Sequence, residues 1–215
     1  MPLNSPVTEL TTAATDLVLG VVSIAILIQL QRVRQYDEWK VKLWSWVFAL
    51  LALVSFLGTV AHGFQMSDST RYWLWQPLYT CLGIMIALFV VGAVNDWRGK
   101  PLSRRLLIPA VVLGVGFYAL TVVLGGKFLV FVVYEGAAML VALVIYIRLS
   151  IKSQMPGSGM VAGAIGLNIA AAAVQASSLS VTIILPLDHN GLFHMVQIAA
   201  IVMLGRGLRT SLQPA

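Results

Sequence analysis

Charge is scarce in this chain. Lys, Arg, Asp and Glu together make up 10% of its 215 residues, against about 25% in a soluble domain. Hydrophobic residues reach 59%, and that imbalance excludes a water-soluble globular fold. Cysteine occurs once, as Cys81, which excludes an internal disulfide and any Cys-based zinc or haem motif. Histidine occurs three times. The first eight residues carry no basic cluster and no small-residue cleavage site, so the first apolar segment is expected to be retained and not removed as a signal peptide.

What is present is a series of apolar runs near the ~20 residues that span a bilayer. They cover about Thr11–Leu30, Leu43–His62, Tyr72–Val94, Leu106–Leu124, Phe128–Leu149, Met160–Leu185 and Gly191–Leu208. The expectation is an all-α, integral membrane bundle of seven helices, one domain over residues 1–215. Short connections leave no room for a soluble module, so any function belongs to the bundle or its mouths.

The basic residues are distributed unevenly. Arg32, Arg34, Lys40, Lys42, Arg98, Lys100, Arg104, Arg105, Arg148, Lys152, Arg206 and Arg209 fall on one side, leaving only Arg71 and Lys127 of the fourteen for the other. By the positive-inside rule the N-terminus is expected outside and the C-terminus in the cytoplasm, with a plasma or bacterial-type inner membrane as the location. The net charge of +6 then faces anionic lipid, and a nucleic-acid partner is not expected. Trp39, Trp44, Trp46, Tyr72, Trp73, Trp75 and Trp97 read as interfacial anchors. No internal repeat divides the chain, and the oligomeric state is not legible.

Polar residues inside an apolar helix mark the face turned from lipid. Glu9, Thr12, Asp16 and Ser23 form one stripe on the first helix, and Ser55, Gly58, Thr59 and His62 another on the second. Gln76, Thr80 and Gly83 follow on the third, with Asn168, Gln175, Ser178 and Thr182 on the sixth. His194 and Gln197 sit one turn apart on the seventh. The fourth helix offers almost nothing polar. These stripes predict a hydrophilic cavity opening outward, built by every helix except the fourth. Asp16 and Glu135 are the sharpest markers, since a carboxylate at a helix centre costs about 2.5–3.5 kcal/mol even on the lenient insertion scale.

His62, His189 and His194 are all expected at the same outer face, where three imidazoles with an open position can hold zinc. On a continuous helix, residues five apart point about 140° from each other. His189 therefore joins the set only if the helix starts after it, with Asn190 as N-cap. Asp16 or Glu135 is the candidate base or orienting partner, and Asn168, Gln175 and Gln197 are candidate substrate contacts.

Seven helices with the N-terminus outside, a His closing the second helix and a His pair opening the seventh resemble the CREST superfamily of membrane hydrolases. That group includes alkaline ceramidases, the adiponectin and progestin receptors, and enzymes that remodel GPI lipids. The resemblance implies zinc on His62, His189 and His194 and hydrolysis of an amide or ester in a lipid or other amphipathic substrate. Here the spacing is His-x₄-His where the family has His-x₃-His, Gly58 stands at the family's Ser, and Tyr72 at its Asp. The segments Thr15-Asp16, His62-Gly63-Phe64 and His189–His194 also resemble a broad group of seven-helix membrane proteins with no assigned activity. A non-enzymatic ligand or metal sensor is the main alternative, followed by a haem or copper protein using His62 and His194. A microbial rhodopsin is disfavoured, because the seventh helix has no Lys for retinal's Schiff base.

Overall fold

The computed structural model describes residues 2–125, 128–182 and 184–213; Lys127, counted on the sparsely charged side, lies outside them. The chain forms α1 (Val7–Gln31), α2 (Glu38–Gly63), α3 (Asp68–Arg98), α4 (Lys100–Val123), α5 (Phe128–Ile151), α6 (Ser158–Gln175), β1 (Val181–Thr182), β2 (Pro186–Leu187) and α7 (His189–Leu212). All seven helices are long and apolar enough to cross a membrane, so this is an all-α integral membrane bundle.

Local chemistry sets the ends. Asp37 caps α2 by accepting from the Lys40 amide, Ser67 caps α3 through the Thr70 amide, and Asp188 caps α7 through the Asn190 and Gly191 amides. Each satisfies an amide that the first helical turn leaves without an acceptor. Gly99 alone separates α3 from α4 and sits at φ 82°, a conformation that residues with a Cβ rarely adopt.

Neighbouring helices close a ring in the order α1, α2, α3, α5, α6, α7 and back to α1, while α4 lies outside, packed chiefly on α3. The lack of polar residues on α4 agrees with this position. Ile108, Val112 and Leu113 on it are 73%, 65% and 59% exposed, as lipid-facing side chains are. Where α3 and α4 touch, a Cβ on Gly83 would lie 2.4 Å from the Gly114 carbonyl oxygen. Small residues of this kind let backbones approach where lipid supplies no hydrophobic drive.

Three sequence expectations are revised. The sixth helix stops at Gln175, not near Leu185, so Ser178 and Thr182 leave its face. Ser177 turns its hydroxyl back to the Val174 carbonyl and accepts from the Leu179 amide. The chain then makes a short antiparallel hairpin pairing Val181 with Leu187 and Thr182 with Pro186. Trp44 is not an interfacial anchor: it is 1% exposed and packs edge-on to Phe89 with ring centroids 5.1 Å apart. Lys40 is no loop charge either. It enters the first turn of α2 and pairs with Asp96 at 2.9 Å, their side chains 7% and 1% exposed. The Tyr146 hydroxyl donates to the same carboxylate at 2.8 Å, so α2, α3 and α5 are tied together at the end of the bundle remote from the histidines.

Candidate functional site

The ring encloses a cavity of about 330 Å³ in the half of the bundle nearer the N-terminus, with walls from all six of its helices. Each contribution follows from the helix phase. α1 places Asp16 and Leu19 on the wall, and α2 places Leu51, Ser55, Gly58 and His62 at intervals of three or four residues. α5 supplies Phe131 and Glu135, α6 supplies Gln175, and α7 supplies Asn190, Phe193, His194 and Gln197.

The α3 wall differs from expectation. Gln76, Thr80 and Gly83 face away from the cavity. Gln76 accepts from the Tyr118 hydroxyl of α4 at 3.1 Å, Thr80 bonds back to the Gln76 carbonyl, and Gly83 meets Gly114. Polar side chains join helices as readily as they line water, and periodicity alone does not separate the two uses. The face of α3 on the cavity is Trp75, Leu78, Tyr79, Leu82 and Met85. Trp75, expected at the membrane interface from its place near a helix end, stands on this wall.

At the mouth, Glu9 Oε2 lies 2.7 Å from His62 Nδ1, and the His62 ring meets Trp75 edge to face. The chain before α1 crosses this end: the Asn4 amide donates to the Gly63 carbonyl, the Gln65 amide to that of Pro2, and the Asn4 side chain to that of His62. Deeper in, His194 is 8% and Asp16 5% exposed. His194 Nδ1 is 3.1 Å from the Thr15 hydroxyl, and Nε2 is 3.4 Å from Asp16 Oδ1.

This line of hydroxyl, imidazole and carboxylate has the members of a nucleophile triad but the wrong placement. The Thr15 hydroxyl reaches the Thr12 carbonyl at 2.8 Å as well as His194 Nδ1, and the imidazole tautomer sets which of Thr15 and His194 donates to the other. A nucleophile has to reach the substrate, and Thr15 is not on the cavity wall. What results is a fixed ring holding a carboxyl group in position. Thr12 reaches the other way, donating to the α7 cap Asp188 at 3.0 Å.

Glu135 lies 6% exposed at the cavity floor and accepts from the Asn168 amide at 3.2 Å. Below it a smaller chamber of about 60 Å³ shares Leu51, Met85, Glu135 and Gln197 with the main cavity and includes Asn168 in its wall. Gln175 donates to Asn190 at 3.4 Å near the mouth. The sequence-derived residues Asp16, His62, Glu135, Gln175, His194 and Gln197 thus line the main cavity, and Asn168 the chamber beneath.

His189 is the exception. It is the first residue of α7, because Asp188 and not Asn190 is the cap, and it is not on the cavity wall. Five residues along one helix from His194, its ring points elsewhere. His62 is engaged by Glu9, and His194 faces Thr15 and Asp16. Among the described residues no three His, Cys, Asp or Glu side chains close on one point that could hold an ion. The residues present do not fit the three-histidine zinc set that the superfamily resemblance implies. Ser55, which periodicity places on a small and polar stripe, gains a sharper role: it is 1% exposed, on the wall, and its hydroxyl has no hydrogen-bond partner among the described residues.

A family model described as a family of unknown function (DUF6962) matches residues 11–213. No curated protein and no solved structure matches the chain.

Proposed function

Since the chain belongs to the DUF6962 family, whose description assigns no activity, its function has to be sought in the cavity, and we propose that it binds a small amphipathic molecule there. The ligand enters from the membrane or from the non-cytoplasmic side, the side that the basic-residue bias gives to the N-terminus. One observation carries this reading. A single cavity is walled by six helices, with apolar side chains between two levels of polar groups, Asp16 and His194 above and Glu135 and Gln197 below. Apolar walls with a few fixed polar groups are what small-molecule sites have in common, and about 330 Å³ falls at the lower end of their range of ~300–1,000 Å³. The hydrogen bonds that hold His194 and His62 in place orient groups that a ligand meets; they do not activate a nucleophile.

Accessibility tests the reading. In a Cys81→Ser background, Gln197→Cys is expected to react with a small thiol reagent in membranes, and a total lipid extract to slow that reaction severalfold. Leu149→Cys, 2% exposed in the opposite half, is the unreactive control. No reaction at position 197 contradicts an accessible pocket.

A hydrolytic reading, acting on a lipid amide or ester, is favoured by one observation: the contact of Asp16 with His194 Nε2 on the cavity wall. An acid–base pair of this kind could pass a proton to or from a bound substrate. In that case purified protein turns over a lipid amide or ester, and Asp16→Asn abolishes turnover while leaving substrate binding intact. Zinc would belong to this reading only if metal analysis finds one ion per chain that His194→Ala removes.

A further inference from the structure

Among the described residues neither the main cavity nor the chamber below it has a Lys or Arg on its wall, yet two carboxyl groups face them. Asp16 has the His194 ring beside it. Among the described residues Glu135 has only the neutral amide of Asn168, although it is as deeply buried as Asp16. It also stands at the one level where the two spaces meet, flanked by Leu51 and Met85. One turn from the Asp16 contact at Gly58, the Ser55 hydroxyl faces the same space without a partner among the described residues. A carboxylate stripped of water takes up a proton unless a counter-charge or several donors hold it ionised, and among the described residues Glu135 has a single donor. The rest of the walls, Leu19, Val54, Leu78, Leu82, Phe131 and Phe193 among them, match an aliphatic body and not a sugar or nucleotide.

Resting on the pocket reading above, we propose that the ligand is an amphipathic amine: its protonated nitrogen pairs with Glu135, Ser55 takes a second polar atom, and its alkyl part lies along the apolar walls. An alkylamine, like a lysine side chain, is protonated at neutral pH. It delivers the counter-charge that Glu135 lacks, and the carboxylate in turn offsets the desolvation of the ammonium. An alkyl carboxylate would bring a second negative charge to the same place and is disfavoured.

The test compares octylamine, 1-octanol and octanoate by calorimetric titration of the full chain in detergent at pH 7, with wild type and Glu135→Gln. The wild type is expected to bind octylamine about ten-fold or more tightly than octanol, the size of one charge-assisted hydrogen bond, and octanoate most weakly. Glu135→Gln is expected to erase the gap between amine and alcohol while octanol affinity holds, which also shows that the variant is folded. Equal affinities for amine and alcohol in the wild type overturn the amine assignment and leave the pocket standing. So does an amine preference that survives Glu135→Gln. If none of the three binds the wild type, the pocket reading falls together with the inference.

Discussion

A Cβ at position 58 would lie 2.6 Å from Asp16 Oδ2, so the α2 backbone and the Asp16 carboxyl share one space with nothing between them. Gly58→Ala is therefore expected to swing Asp16 off the His194 ring. Overpacking of this kind costs about 1–3 kcal/mol, and ligand affinity should fall with it; thermal unfolding and a binding titration of the same sample read both. At the far end of the bundle the Lys40–Asp96 pair is buried on both sides. Removing one partner of such a pair leaves an uncompensated charge and costs about 3–5 kcal/mol, whereas replacing both by apolar groups is often near neutral. Lys40→Met should lower the unfolding temperature sharply, and adding Asp96→Leu should restore most of it. A double variant no better than the single one would show that Tyr146, not the ion pair, anchors this end.

At the scale of the elements, the α3–α4 contact depends on two glycines. Gly114→Val is expected to push the Gly83 backbone away and loosen α4, which has little other burial, with a loss of thermal stability and faster amide exchange in α4 than in α3. A second exchange measurement checks the end of α6: the amides of Ser178–Ser180, beyond the last backbone bonds from Ala176 to Ala172 and Ser177 to Val174, should exchange faster than those of Gly163–Ala171. Protection continuing to Ser180 would restore the longer helix that hydropathy suggests. Hydropathy counts apolar residues, and Leu179, Val181, Ile184 and Leu185 satisfy it whether helical or not. The Ser177 back-bond and the hairpin pairing decide otherwise, and neither leaves a mark on a sliding window. The phase of α1, α2 and α7 was readable because their acidic and imidazole groups have few acceptable places in lipid. The phase of α3 was not, since Gln76 and Thr80 pair as comfortably with α4 as with water. The burial of Lys40 is not legible, because nothing near it in sequence announces Asp96, which comes from the far end of the next helix.

For the molecule as a whole, the ring of six helices with α4 outside explains why the polar residues avoid α4 and why one cavity collects Asp16, Glu135, His62 and His194. The order of the helices was legible; the closure of the ring depends on pairings across long sequence distances. Its orientation is testable with single cysteines in a Cys81→Ser background: an impermeant maleimide on intact cells should label position 188 and spare position 152, and the reverse pattern would turn the cavity toward the cytoplasm. The occupant itself is best sought by native mass spectrometry of the protein extracted in mild detergent, wild type beside Gln197→Trp, whose indole fills the level shared by both chambers. The expected result is a small organic adduct on the wild type that is released on activation and absent from the variant. A stoichiometric metal-ion mass lost with His194→Ala, or an adduct of the same mass on both proteins, would contradict a ligand held between Asp16 and Glu135.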